Sequence, residues 1–222
     1  DAINAKPNIS VMTNAVCNGW FADNWLPIVT KRRLYKVRAK QTIMCTGSLE
    51  QPAIFHNNDL PGVMMSSAAQ RLVHLYAVNP GSQAVIVTGN NDGYGTALDL
   101  DDAGVKVNAI VDLRDKPIYD DIAKAAVARG IRIETRMTVY AAHSKGGNHV
   151  AEVDIRKIVS QGICAVQGEV ITCDLLCMSV GYTPTYQLAC QAGGQLTYDD
   201  QSAMFSLQNC PESLQLAGSV NS

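Results

Sequence analysis

Thr88, Asn90 and Gly93, followed by Gly104 and Asp112, are small and polar residues spaced for contact between backbone and ligand. An apolar run, Val85-Ile86-Val87, precedes them, and a second apolar run ends on the acid. In a turn of the form G-x-G-x-x-G the first glycine makes the tight turn and the second admits a pyrophosphate. The third lets helix and strand pack closely. Counting back from Gly104 places Gly93 third, so the pattern reads T-x-N-x-x-G. Asn tolerates left-handed backbone angles, so the turn can persist, but the Asn90 side chain projects where the pyrophosphate would lie. The helix start still offers N–H groups and a positive dipole end. Asp112 stands near the place of a ribose-binding acid, and Gly89 and Gly95 leave room for a shifted register. Thr88, Asn90, Gly93 and Asp112 are therefore the candidate cofactor-binding residues of this stretch. The competing expectation is a packing unit in which Gly93 serves helix–strand contact alone.

Other chemistry-bearing residues form no catalytic constellation. His74 falls on the apolar side of a helical segment and is expected to be partly buried. His56, beside Asn57-Asn58-Asp59, suits a turn, and His143 and His149 flank a Gly-Gly turn. Asp99, Asp101 and Asp102 spread over more than one helix face, as a solvated surface does. No Ser/His/Asp or Cys/His spacing can be assembled. The seven cysteines include no CxxC. Cys45, Cys173 and Cys177 sit in or beside apolar runs, as small buried hydrophobes do. No catalytic residue and no metal ligand is expected. Trp20 and Trp25 flank a hairpin turn and should pack on its sheet; an exposed pair would mark a subunit contact.

These residues must be positioned by alternating elements. Residues 8–46 predict a β meander ending at Thr46-Gly47. The linker "SLEQPAIFHNNDLPGVM" leads to a helix, "SSAAQRLVHLYAV", with Ser66 or Ser67 as cap and Leu72, Leu75 and Tyr76 on one face. Then follow a strand at 84–88, a helix near 93–103, a strand at 106–111, the helix "IYDDIAKAAVARG" and the strand "IRIET". Such alternation with short connections predicts a parallel sheet. A hairpin turning at Gly146-Gly147 and the strands of "GEVITCDLLCMSVG" complete the run. The fold class is α/β: a parallel-sheet, Rossmann-type unit at 83–180 inserted into a second FAD/NAD-binding-like domain. That outer domain comprises 1–82, with the β meander, and 181–222.

The 222 residues suffice for a sizeable core, and the formal net charge of -2 excludes an ordinary nucleic-acid binder. Lys31-Arg32-Arg33 reads as a solvated turn. No apolar run reaches the about 20 residues of a membrane span. The odd cysteine count and the absence of a secretory leader predict a cytoplasmic setting. The chain starts without methionine and stops within a strand-to-turn element, as a piece of a longer polypeptide would.

Two stretches carry a resemblance: "RAKQTIMCTGSLEQPAIFHNNDLPGVMMSSAAQRLVHLYAVNPGSQAVIVTGNNDGYGTALDLDDAGV" and "CDLLCMSVGYTPTYQLACQAGGQLTYDD". They resemble the alpha subunits of heterotetrameric sarcosine oxidases, including the "NND…PG" linker and the "MS-x-G-x-x-P" segment from Met178 to Pro184. Alpha subunits of hydrogen cyanide synthases, opine oxidases and dye-linked proline dehydrogenases share this architecture. The wider resemblance is to the two-dinucleotide-domain flavoproteins. It implies that Thr46-Gly47 lies near the outer nucleotide. It also implies that Gly218-Ser219 matches an Ala-Gly-Asp segment whose acid binds a flavin ribityl chain. Ser219 replaces that acid, which favours NAD over FAD in the outer domain. The resemblance further implies FAD in a flavin-bearing beta subunit, FMN at the subunit contact, a small amine substrate, and transfer of a one-carbon unit to tetrahydrofolate. Neither nucleic acid nor membrane is an expected partner.

Overall fold

The computed structural model describes residues 3–118, 120–199 and 204–221. The chain divides into two compact units, residues 50–182 and residues 1–49 with 183–222. The break falls at Leu49/Glu50, not near residue 82 as the sequence suggested. The reason is pairing: the short strand Val63–Met65 joins the sheet of the 50–182 unit, alongside Leu175–Ser179.

The 50–182 unit is built on a five-stranded sheet ordered Val63–Met65, Leu175–Ser179, Gln83–Thr88, Lys106–Asp112, Ile133–Thr135. All four pairings are parallel. Parallel strands are buried on both faces and need apolar residues on each. Val85, Val87, Ala109 and Val111 face one core, with Val139, Val153 and Ile155 of an antiparallel sheet. Ala84, Ile86 and Ile110 face the other, with Ala69, Tyr94, Leu100 and Ala126 of the helices. The antiparallel layer comprises Met137–His143, Glu152–Ser160, Ile163–Cys164 and Glu169–Thr172.

Three helices cover the sheet: α1 (Ser66–Tyr76), α2 (Asp92–Asp102) and α3 (Asp121–Ala128). The start of α1 corrects the expected serine cap. Met65 is the N-cap, without a side-chain hydrogen bond, and the Glu50 carboxylate accepts from the Ser67 N–H (3.1 Å) and hydroxyl (2.6 Å) instead. The apolar face of α1 also differs from expectation. Ala69 is buried, whereas Leu75 and Tyr76 are about two-thirds exposed. His74, with over half its side chain exposed, lies 3.2 Å from Asp99 and is not a core residue. On α2 the acids do spread: Asp99 faces Gln70 and His74, while Asp101 and Asp102 meet Arg129.

In the other unit the meander is shorter than expected. Val16–Cys17, Trp25–Val29 and Leu34–Arg38 form an antiparallel sheet. The next strand, Thr42–Met44, leaves it and pairs in parallel with Leu214–Leu216. Helix α4 (Gln187–Gln191) and the hairpin Gln195–Asp199/Met204–Gln208 follow. Trp20, Leu26, Met44, Ala189, Leu214 and Val220 make its core. Trp20 is thus buried as expected, while Trp25 is only partly buried.

Candidate functional site

Ligands of parallel α/β sheets sit beyond the carboxyl ends of the strands, and each unit presents such ends. In the 50–182 unit these are Thr88, Asp112 and Ser179, all fully buried. The Thr88 hydroxyl lies 2.7 Å from the Asn90 carbonyl and 3.0 Å from that of Ser179, and accepts from the Asn90 N–H. Asn90 Oδ1 in turn accepts from the Asp92 N–H and the Ser179 hydroxyl, each at 3.0 Å. A Cβ on Gly93 would stand 2.4 Å from Thr88 Oγ1, so this position requires glycine because threonine occupies the first place of the turn.

The structure brings all four candidates of this stretch together, but their polar groups are already engaged. Asp112 Oδ1 accepts from the Arg114 N–H (2.9 Å) and Nε (3.0 Å). Its Oδ2 accepts from the Tyr94 hydroxyl (2.8 Å) and Arg114 Nη2 (2.7 Å). Asp112 holds the Arg114 guanidinium above its ordinary pKa range through these hydrogen bonds. Nη2 also reaches Asn91 Oδ1 at 2.9 Å, and Asn91 Nδ2 donates to the Ile118 carbonyl.

The first turn of α2 carries a further obstacle. Asp92 places a carboxylate where a pyrophosphate would seek the positive end of the helix dipole, and it accepts from the Tyr182 hydroxyl at 2.7 Å. Burial, then the Asp92 hydrogen bond and charge, push the Tyr182 phenol well above its usual range. These residues do not fit a dinucleotide. The ribose acid is taken, an amide fills the turn, and a negative charge guards the helix start. Arg114 and Asp92 were missed in the sequence; an acid in a first helical turn and a cation two residues beyond a strand-end acid were the available signals.

The strand ends of the other unit differ. Thr42–Met44 and Leu214–Leu216 finish side by side, the Ala217 N–H donating to the Met44 carbonyl. Each is followed by a glycine in the left-handed region, Gly47 at φ 74° and Gly218 at φ 76°. Ser219 Oγ lies 3.7 Å from where a Gly47 Cβ would stand. Thr46 Oγ1 donates to the Thr185 carbonyl at 3.2 Å, and the Thr185 N–H and hydroxyl both donate to the Gly47 carbonyl. Behind Thr46 is a hollow of about 280 Å³ lined by Trp20, Leu26, Ile28, Met44 and Leu188. Thr46, Gly47, Gly218 and Ser219 are therefore gathered at one place. They carry hydroxyls and backbone groups but no carboxylate, a donor set that fits a sugar or pyrophosphate.

Elsewhere the thiols of Cys173 and Cys177 are pushed up to about 12 by burial, which makes them poor nucleophiles. Among the described residues no group of three or more His, Cys, Asp or Glu is arranged to hold a metal. No described helix is long and apolar enough to cross a membrane.

No protein-family model matches the chain. Sarcosine oxidase subunit alpha of Rhizobium meliloti (strain 1021) is 29% identical over 98% of this chain and 22% of its own length. That of Corynebacterium sp. (strain P-1) is 28% identical over 86% of this chain and 19% of its own length. The chain thus spans about a fifth of the curated relatives it matches. Among solved structures, T. acidophilum thioredoxin reductase superposes with a TM-score of 0.68 at 17% identity, covering 91% of this chain and 64% of that one. L-proline dehydrogenase from P. horikoshii gives 0.63 at 20% identity, covering 94% and 36%. The chain shares its fold with these thioredoxin reductase and L-proline dehydrogenase structures, and it is similar over nearly its whole length to sarcosine oxidase subunit alpha.

Proposed function

We propose that this chain is the nucleotide-domain portion of a sarcosine oxidase-type alpha subunit. Its complex demethylates sarcosine oxidatively with flavins and passes the one-carbon unit to tetrahydrofolate. FAD resides in a beta subunit and FMN at the subunit contact, and this chain contributes scaffold and subunit contacts without a bond-making residue. Within it, NAD is held at Thr46, Gly47, Gly218 and Ser219. The backbone of the two glycines approaches the phosphates, and the Thr46 and Ser219 hydroxyls orient the sugar. The unit around Thr88, Asn90, Gly93 and Asp112 keeps the nucleotide architecture as a packing module.

The observation that carries this reading is the convergence of Gly47 and Ser219 at the ends of two parallel strands, in a chain similar to alpha subunits throughout. Co-expression of the complete alpha-type polypeptide with flavin-bearing subunits should give sarcosine-dependent dye reduction. Reduction by proline or an opine in place of sarcosine assigns the chain to the related dehydrogenases, the second reading supported by the fold likeness to proline dehydrogenase. Turnover with none of these amines contradicts both.

A further inference from the structure

The stretch from Trp25 to Lys40 holds six of the chain's 18 lysines and arginines and no acid, in a chain whose formal net charge is -2. These residues form the hairpin Trp25–Val29/Leu34–Arg38, with Lys31, Arg32 and Arg33 exposed at its turn. The register sets Trp25 opposite Arg38 and Pro27 opposite Lys36, so both cations share the outer face with the indole. Leu26 and Val37 face the core.

The outer face is more than a solvated run of charge. Phe21 stacks on Trp25 with ring centroids 4.7 Å apart, and Phe21 is half exposed. Lys36 Nζ stands 5.9 Å from the Trp25 ring centroid. Trp25, Lys36 and Arg38 line a hollow of about 290 Å³. Arg38 has one long ion pair, 3.8 Å to an exposed Asp23. Among the described residues none of Lys31, Arg32, Arg33, Lys36 and Lys40 has an ion pair. Lysines alone would merely guard the edge strand Leu34–Arg38 against aggregation. Aromatic residues and arginine around a hollow are instead the composition of an interface.

We propose that the outer face of this hairpin docks an acidic segment of another polypeptide, its carboxylates on Lys36 and Arg38 and an apolar side chain on Trp25 and Phe21. The spacing favours an extended peptide. Lys36 and Arg38 are alternate residues of a strand, about 7 Å apart, the repeat of alternate side chains in an extended partner. Leu34–Arg38 lies at the end of the sheet order, so its outer edge can accept main-chain hydrogen bonds from such a partner. A polynucleotide would run beyond the patch onto a surface of net negative charge, which opposes binding. The inference stands apart from the nucleotide reading, since neither glycine nor serine of that site takes part.

The test is fluorescence anisotropy of a dye-labelled extended peptide of alternating glutamates with one phenylalanine, titrated with the whole chain. An oligothymidylate of equal charge serves as the competing probe. The peptide should bind, weakening as salt is raised. Lys36→Glu with Arg38→Glu should weaken it at least about tenfold, and Phe21→Ala several-fold. Lys124→Glu, on α3, should leave binding unchanged. Arg38→Gln, which removes one exposed charge without reversing it, should also weaken binding severalfold and serves as the variant less disturbing to folding. No peptide binding, binding indifferent to Lys36 and Arg38, or tighter binding of the oligothymidylate would each overturn the proposal.

Discussion

Arg114 grips the buried Asp112 with Nε at 3.0 Å and Nη2 at 2.7 Å, one oxygen each. The carboxylate that could have read a ribose instead anchors the chain's own cation, and through Asn91 ties the start of α2 to the end of its neighbouring strand. This pair gives the first prediction. Arg114→Ala leaves a buried carboxylate without its counter-ion and should destabilise the 50–182 unit by about 3 kcal/mol. Tyr94→Phe, which removes one hydrogen bond, should cost about 1 kcal/mol. Urea unfolding of each variant measures both; equal losses would mean that the ion pair is worth no more than a single hydrogen bond.

Gly93 and Thr88 give a coupled prediction. A methyl at position 93 meets the Thr88 side chain at 2.4 and 2.5 Å, so Gly93→Ala should cost about 1–3 kcal/mol. Thr88→Gly should relieve most of that cost in the double variant, despite the loss of its own hydrogen bonds. A double-mutant cycle reads the coupling directly, and additive losses would refute the contact.

Asp174 supplies a pH dependence. Burial raises its pKa, but the Ser82 hydroxyl and the N–H groups of Gln83 and Ser82 outweigh that and hold the carboxyl below its ordinary value. A folded-state pKa below the unfolded value of about 3.9 contributes stability that is present above that value. The contribution is lost as pH falls through the folded pKa. Wild type should therefore exceed Asp174→Asn by about 1–2 kcal/mol near neutrality, and the difference should shrink below about pH 4. A difference constant down to pH 2 would show that the carboxylate's charge is irrelevant.

Much of the 50–182 unit was legible because its strands bury both faces. Val85-Ile86-Val87 and Ala109-Ile110-Val111 are apolar throughout, and period two alone assigns their sides to the two cores. The boundary at Leu49 was not legible. Val63–Met65 is three residues long, and its partner Leu175–Ser179 lies far along the chain, beyond any local pattern. The same limit hid the true face of α1, where Ala69 packs while the larger Leu75 and Tyr76 stay out. At the sites, the types of Thr88 and Asn90 placed side chains in the turn, but nothing in them told that Arg114 would engage Asp112. Thr46 with Ser219 emerged from resemblance, because parallel pairing of Thr42–Met44 with Leu214–Leu216 leaves no trace in either segment.

The proposed NAD site lies at the Gly47/Ser219 strand ends and not on the Thr88–Gly93 turn. Hydrogen exchange of the complete alpha-type polypeptide, with and without saturating NAD, tests it most directly. Slowed exchange is expected in residues 42–47 and 214–221, with residues 88–95 and 110–116 unchanged. Slowing confined to 88–95 and 110–116, or at neither place, would contradict it.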